Sequence, residues 1–345
     1  MKVSKEFEQS LLRKKVPLPF FLVTVILLLV VSYMKFFPNE ASANELSNNQ
    51  SNSRTSNRVI HQIRLNKYEF TKPLILTDVK EDSPEYSDLK SQLLEYINDK
   101  TVSGDIQSAG IYIRKLNGSS PIAINADQSF NPGSVAKISI LMAYLKMSEK
   151  QPKLLDEVLS LNPGEYSPIH QEFPSQEIEF GKKYTVRELL YFMIDKSANS
   201  ATALLTKKID KEIFENLFVD LGLPEVTASN ASYQMSASAV SRFLRVLYNS
   251  SYLTAENSEF ALSLLSKSDF QEGLAKSLPK SIKMAHKFGE QGDSQFKQLH
   301  ETGIVYLNDN AYVITVMTKG REMKNLSNFI SEVSKMVYNR FNTNI

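Results

Sequence analysis

The chain has 345 residues, 42% of them hydrophobic, enough to bury a sizeable core in one large domain. Its 40 basic and 38 acidic residues leave a formal net charge of +2 without long like-charge blocks, so nothing in the charge pattern offers a footprint for nucleic acid. Cysteine is absent, which excludes disulfides, thiol nucleophiles and thiolate metal sites together.

Residues 1–15 form a basic segment that ends in Arg13, Lys14 and Lys15. The uncharged stretch from Val16 to Met34 is about the length a helix needs to cross a bilayer, so residues 16–37 are expected to be a transmembrane anchor or uncleaved signal, with the amino terminus inside. Pro38 and the small-x-small trio Ala41, Ser42, Ala43 keep open a second reading, a secreted domain released by cleavage near Ala43. Both readings deliver the rest of the chain outside the cytoplasm, and the first makes it a single-pass protein of the cell membrane. Residues 38–60, rich in Asn and Ser and without an apolar period, read as a flexible linker, leaving 61–345 as the folded domain.

Within that domain, Leu89, Leu93, Leu94 and Ile97 recur with a helical period between Tyr86 and Ile97, and Ala109, Ile111 and Ile113 then alternate as a strand does. From Ser134 to about Asp269 the pattern is helical, broken by Pro-Gly and Asn-rich loops. His300 to Leu307 and Ala311 to Thr318 read as two strands joined by Asn308, Asp309 and Asn310. A last helix carries Leu326, Phe329, Ile330, Val333 and Val337 on one face. Strands at both ends with helices between them predict an α/β (α+β) domain, with an antiparallel sheet shared by the terminal segments beside a helical subdomain.

Three short patterns carry chemistry. Asn131, Pro132 and Gly133 break the chain before Ser134, which opens an apolar helix with Lys137 one turn on; burial there can lower the lysine pKa, and free backbone N–H groups can stabilise an oxyanion. Ser-x-x-Lys also occurs at Ser32, Ser87, Ser277 and Ser294, so alone it is as consistent with a helix cap and a snorkelling lysine. Thr185 and Glu188 form a capping-box pattern, and the helix they start ends at Ser197, Ala198, Asn199, placing a hydroxyl and an amide on a short loop. Lys287, Phe288, Gly289 closes a strand-like run, where glycine permits close approach of a ligand to the backbone.

Taken in this order, the three patterns resemble the signature of class A β-lactamases and penicillin-binding proteins, the serine β-lactamase/transpeptidase group. The resemblance extends over roughly Leu89 to Phe341 and includes Glu165, Tyr166, Ser167, Pro168, similar to the segment that walls the substrate cleft in that family. It implies Ser134 as the acylated nucleophile, Lys137 as general base, Ser197 as a proton relay to the leaving nitrogen and Asn199 as a ligand of the substrate amide. It further implies positive potential from Lys287, an oxyanion hole from the N–H groups of Ser134 and Glu290 beside Gly289, and Tyr166 at the cleft entrance. The substrate it implies is a β-lactam or a D-alanyl cell-wall peptide, hydrolysed through an acyl-enzyme.

Four departures limit the transfer. Ala198 stands where β-lactamases have an acid, Phe288 stands where they have a hydroxyl that helps bind the substrate carboxylate, and no arginine stands near Thr302, with Lys319 or Arg321 as substitutes. The interval from Ser197 to Lys287 is roughly a dozen residues short, between Leu223 and Tyr233, where the family keeps its deacylating glutamate; Glu225 lacks the flanking Leu-Asn. Acylation is therefore expected with slow deacylation, the alternatives being a non-hydrolytic β-lactam or muropeptide sensor and a catalytically degenerate binding scaffold. His61, His170, His286 and His300 show no metal-ligand spacing, so neither metal nor other cofactor is expected.

Overall fold

A computed structural model describes residues 60–65, 73–79, 81–118, 120–173, 175–227, 233–292, 295–307 and 310–342, all within the compact unit Asn57–Ile345. The expected anchor at residues 16–37 lies outside the described residues, among which no helix is long and apolar enough to cross a membrane.

The described chain opens with an antiparallel hairpin, β1 (Ile60–Arg64) and β2 (Leu74–Val79), ahead of the helix with which the sequence pattern begins the domain. Charge ties β2 down: Asp78 accepts from Arg114 and Arg242 at 3.3 Å each and from Arg245 at 3.1 Å. Helix α1 (Ser87–Val102) buries Leu89 and Leu93, while Leu94 is 46% exposed, because only one stripe of the helix meets the sheet.

Strands β3 (Ser108–Lys115) and β4 (Ile122–Ile124) follow, and then the helical region. A 3-10 turn, Gly133–Ala136, leads into α2 (Lys137–Ser148), which is buried on nearly every side. A small two-stranded sheet, β5 (Val158–Ser160) with β6 (Lys183–Thr185), interrupts the expected run of helices before α3 (Val186–Ile194), α4 (Asn199–Lys208), α5 (Lys211–Asp220), α6 (Ala237–Tyr248) and α7 (Ala255–Leu265). The Thr185–Glu188 capping box forms as its spacing predicts, with Glu188 N donating to Thr185 Oγ1 at 3.2 Å and Thr185 N to Glu188 Oε2 at 2.7 Å.

Strands β7 (Lys283–Gly292), β8 (Lys297–Tyr306) and β9 (Tyr312–Gly320) and helix α8 (Met323–Asn342) complete the domain. The sheet is antiparallel in the order β4-β3-β9-β8-β7, so segments from both ends of the domain pair as the pattern predicts. Its two faces belong to different clusters. Val313 and Met317 of β9 pack with the central helices, whereas Ile314 and Val316 pack with Leu326, Phe329, Ile330, Val333 and Val337 of α8. With helices on both faces the strands read as nearly continuous apolar runs, and each buried Ile, Val, Leu or Phe contributes about 1.5–3 kcal/mol. Tyr112 and Arg114 of β3 are buried along with the alternating Ile111 and Ile113 for that reason.

This arrangement positions the site. β7 is an edge strand, and Lys287 sits in its middle rather than at the end of a strand, so the residues that follow reach the nucleophile turn.

Candidate active site

The turn bearing Ser134 is pressed against the edge strand by two glycines. Gly133 has φ +52°, and a Cβ there would stand 2.5 Å from Glu290 O; a Cβ on Gly289 would stand 2.5 Å from Pro132 O and 2.8 Å from Ser134 N. Only residues without a side chain allow this approach. The consequence is that the backbones of Ser134 and Glu290, the two proposed oxyanion donors, lie side by side.

The turn is also held from β8. Gln298 Oε1 accepts from Asn131 N at 3.2 Å, and His300 donates from Nε2 to Asn131 O at 2.8 Å while its Nδ1 accepts from Thr318 N at 3.1 Å. These partners define a neutral imidazole, since a proton on Nδ1 would face another N–H. Burial pushes His300 from 6.5 down to about 4. Its folded pKa lies below its unfolded one, so the unfolded state takes the proton first; the stability is fully present above about pH 6.5 and is lost as pH falls toward about 4. A shift of this size corresponds to ~3 kcal/mol. The melting temperature is expected to drop across that window and His300→Gln to flatten the drop; equal pH profiles for the two proteins would exclude His300 as the acid-sensitive tether.

Lys137 begins α2 and points into the interior behind the turn. Its Nζ lies 2.6 Å from Ser197 O, 2.8 Å from Asn199 Oδ1 and 3.4 Å from Ser197 Oγ. Burial, reinforced by the charge of Lys287, holds its pKa well below the usual lysine range and outweighs the fields of Glu177 and Glu290. A neutral amine keeps two N–H groups for the two close oxygens and leaves a lone pair that can take a proton. Lys287 is fully buried, donates to Ser197 Oγ at 2.9 Å and to Phe288 O at 3.2 Å, and is brought down by burial to about 7. The Ser197 hydroxyl thus stands between two amines.

Ser197 has φ +55°, a left-handed conformation that costs a non-glycine residue on the order of 1–3 kcal/mol. The short Lys137–Ser197 O contact supports it. Ala198 offers α4 no cap, and Glu177 supplies one from outside the helix: Oε1 accepts from Asn199 N at 3.0 Å and Oε2 from Ser200 N at 2.7 Å. Its carboxylate also takes the hydroxyls of Ser175 and Ser200. No local pattern marks Glu177, which is 22 residues from Asn199.

A cleft of about 540 Å³ opens in front of these groups, lined by Ser134, Lys137, Asn199, Tyr233 and Glu290 among others. Ser197 and Lys287, both buried, are not among the residues that line it; Ser197 meets Lys137 from the interior side, and Lys287 meets Ser197. Tyr166, expected at the cleft entrance, is not among the lining residues: it packs, partly buried, against the helical core, and Ile169–Glu172 line the cleft instead. Lys319 lies over the Phe296 ring at 4.5 Å, and neither it nor Arg321 lines the cleft, where Lys297 does. Glu225 is exposed and away from the cleft. The sequence patterns also miss Tyr233, whose hydroxyl is 3.5 Å from Ser139 Oγ.

Comparison with known proteins agrees with this architecture. Beta-lactamase VEB-1 of Pseudomonas aeruginosa is 24% identical over 259 residues, covering 67% of this chain and 85% of that protein. The structure of PBP-A superposes with a TM-score of 0.66 at 21% identity, covering 76% of this chain and 99% of that one. A mutant of PBP-A, solved as its acyl-enzyme complex with penicillin G, gives 0.65 at 21% identity with the same coverage. Identities this low establish a shared fold. The profile of the β-lactamase enzyme family matches residues 89–341, from the first helix of the domain to the last and across every element that carries a candidate site residue: this chain belongs to that family.

Proposed function

We propose that the domain is a serine hydrolase in which a β-lactam or a D-alanyl cell-wall peptide acylates Ser134. The observation that carries this reading is the buried Lys137, whose depressed pKa leaves a neutral amine at the start of the helix that follows Ser134. Ser134 Oγ bonds to the carbonyl carbon as its proton passes to Lys137 Nζ, and the oxyanion rests between the N–H groups of Ser134 and Glu290. Collapse breaks the bond to the leaving nitrogen, which takes a proton from Ser197 Oγ; that hydroxyl is restored from Lys137. Lys287 holds the Ser197 hydroxyl and adds positive potential, Asn199 binds the substrate amide, and Gly289 lets the turn bearing Ser134 approach the strand so that the Glu290 N–H stands beside that of Ser134. The penicillin acyl-enzyme of PBP-A, on the same fold, favours this chemistry.

A non-hydrolytic sensor is the second reading, favoured by the exposed position of Glu225. Incubation of the full-length protein with a penicillin or a fluorophosphonate is expected to add one mass increment, on the peptide containing Ser134, and Ser134→Ala is expected to remove it. No adduct with any reagent would overturn both readings and leave a binding scaffold.

A further inference from the structure

Phe288, the residue least compatible with the family pattern, has a definite place. Its ring stacks on Phe270 at 4.0 Å and 15°, and the edge of Phe173 meets both rings, at 5.0 Å from Phe270 and 6.0 Å from Phe288. Phe173 ends the Ile169–Phe173 segment, which crosses from the helical side to the edge strand. Its backbone is tied there by the Glu290 carboxylate, Oε2 accepting from Glu172 N at 2.9 Å and Oε1 from Phe173 N at 3.2 Å. Lys297 pairs with Glu172 alongside. The segment is thus a strap with three independent fastenings, and its Ile169–Glu172 part is one wall of the cleft.

The strap borders the same cleft as Ser134, Asn199 and Glu290, into which the leaving-group side of the site opens in the acyl-transfer reading. Ser197 Oγ marks that side, and it is held by Lys287 on the strand that carries Phe288 and Glu290. A substrate carboxylate there would meet the Glu290 side chain and no hydroxyl from position 288, because the Phe288 ring is turned into the aromatic cluster behind the cleft lining. Two lysines of this region are already engaged, Lys287 with Ser197 Oγ and Phe288 O and Lys297 with Glu172, and no arginine lines the cleft among the described residues. An anion with no partner at such a surface is disfavoured, whereas a neutral group of the same shape is not.

Resting on the acyl-transfer reading above, we propose that the strap, seated on Phe288 and Glu290, makes this protein selective for acyl donors that carry no carboxylate on the leaving-group side, such as esterified or amidated peptides.

Benzylpenicillin and its methyl ester form a matched pair that differs only in this charge. With the full-length protein, the methyl ester is expected to acylate Ser134 about tenfold faster than the free acid or more. Phe173→Ala, which unseats the strap, and Phe288→Thr, which replaces the ring by a hydroxyl, are each expected to move the rate ratio toward the acid by about tenfold. Phe173 is only half-buried, so its variant carries the test if Phe288→Thr does not fold. Preference of the native protein for the acid, or a ratio unchanged by Phe173→Ala, overturns the proposal while leaving acyl transfer intact. Failure of both penicillins and of a fluorophosphonate to label Ser134 overturns the acyl-transfer reading and this selectivity with it.

Discussion

The ester that a penicillin forms on Ser134 is expected to persist, with hydrolysis slower by on the order of a hundredfold or more than where a base positions the attacking water. The acids near the nucleophile are already engaged. Glu177, whose charge reaches Lys137, accepts from the backbone of Asn199 and Ser200 and from two serine hydroxyls. The net effect of those donors, against the opposing effect of burial, is a pKa below the usual glutamate value, which makes it a weak base. Glu290 and Glu172 hold the strap and its lysine. Tyr233, which also lines the cleft, is pushed by burial up to about 12 and gives no phenolate at neutral pH. A mass-spectrometric time course after removal of free penicillin measures the lifetime directly. Fast release with many turnovers would sink the argument.

Replacing Lys137 by alanine is expected to lower the acylation rate by on the order of 10²- to 10⁴-fold, the usual contribution of a positioned base. The native rate should itself depend on pH with a definite sign. Because the Lys137 pKa is depressed, the neutral amine is present well below the pH at which an exposed lysine loses its proton, and acylation should fail only as acidification protonates it. Lys137→Arg, cationic at every accessible pH, should be as inactive as the alanine variant. Melting temperatures of the variants separate loss of the base from loss of the fold. Labelling of Lys137→Ala at the native rate would remove Lys137 from the role of base.

Much of this protein is legible without its structure, because the signals involved are local. The turn at Asn131–Gly133, the capping box at Thr185 and Glu188, the face of α8 and the pairing of β8 with β9 each depend on residues within a few turns of one another or on one hairpin. The order of the Ser134, Ser197 and Lys287 patterns is likewise a property of the chain. What the sequence could not decide is how burial and long-range pairing change those residues. The pKa of Lys137 is set by removal from water and by Lys287, and the start of α4 is capped by Glu177 across a gap of 22 residues. The strap on Glu290 spans 118. Phe288 reads as a lost hydroxyl in one dimension and as the seat of Phe173 in three. Propensity and capping act through neighbours along the chain, whereas desolvation, aromatic packing and ion pairing act through space, so the second group exists only once the sheet edge and the helical layer have come together.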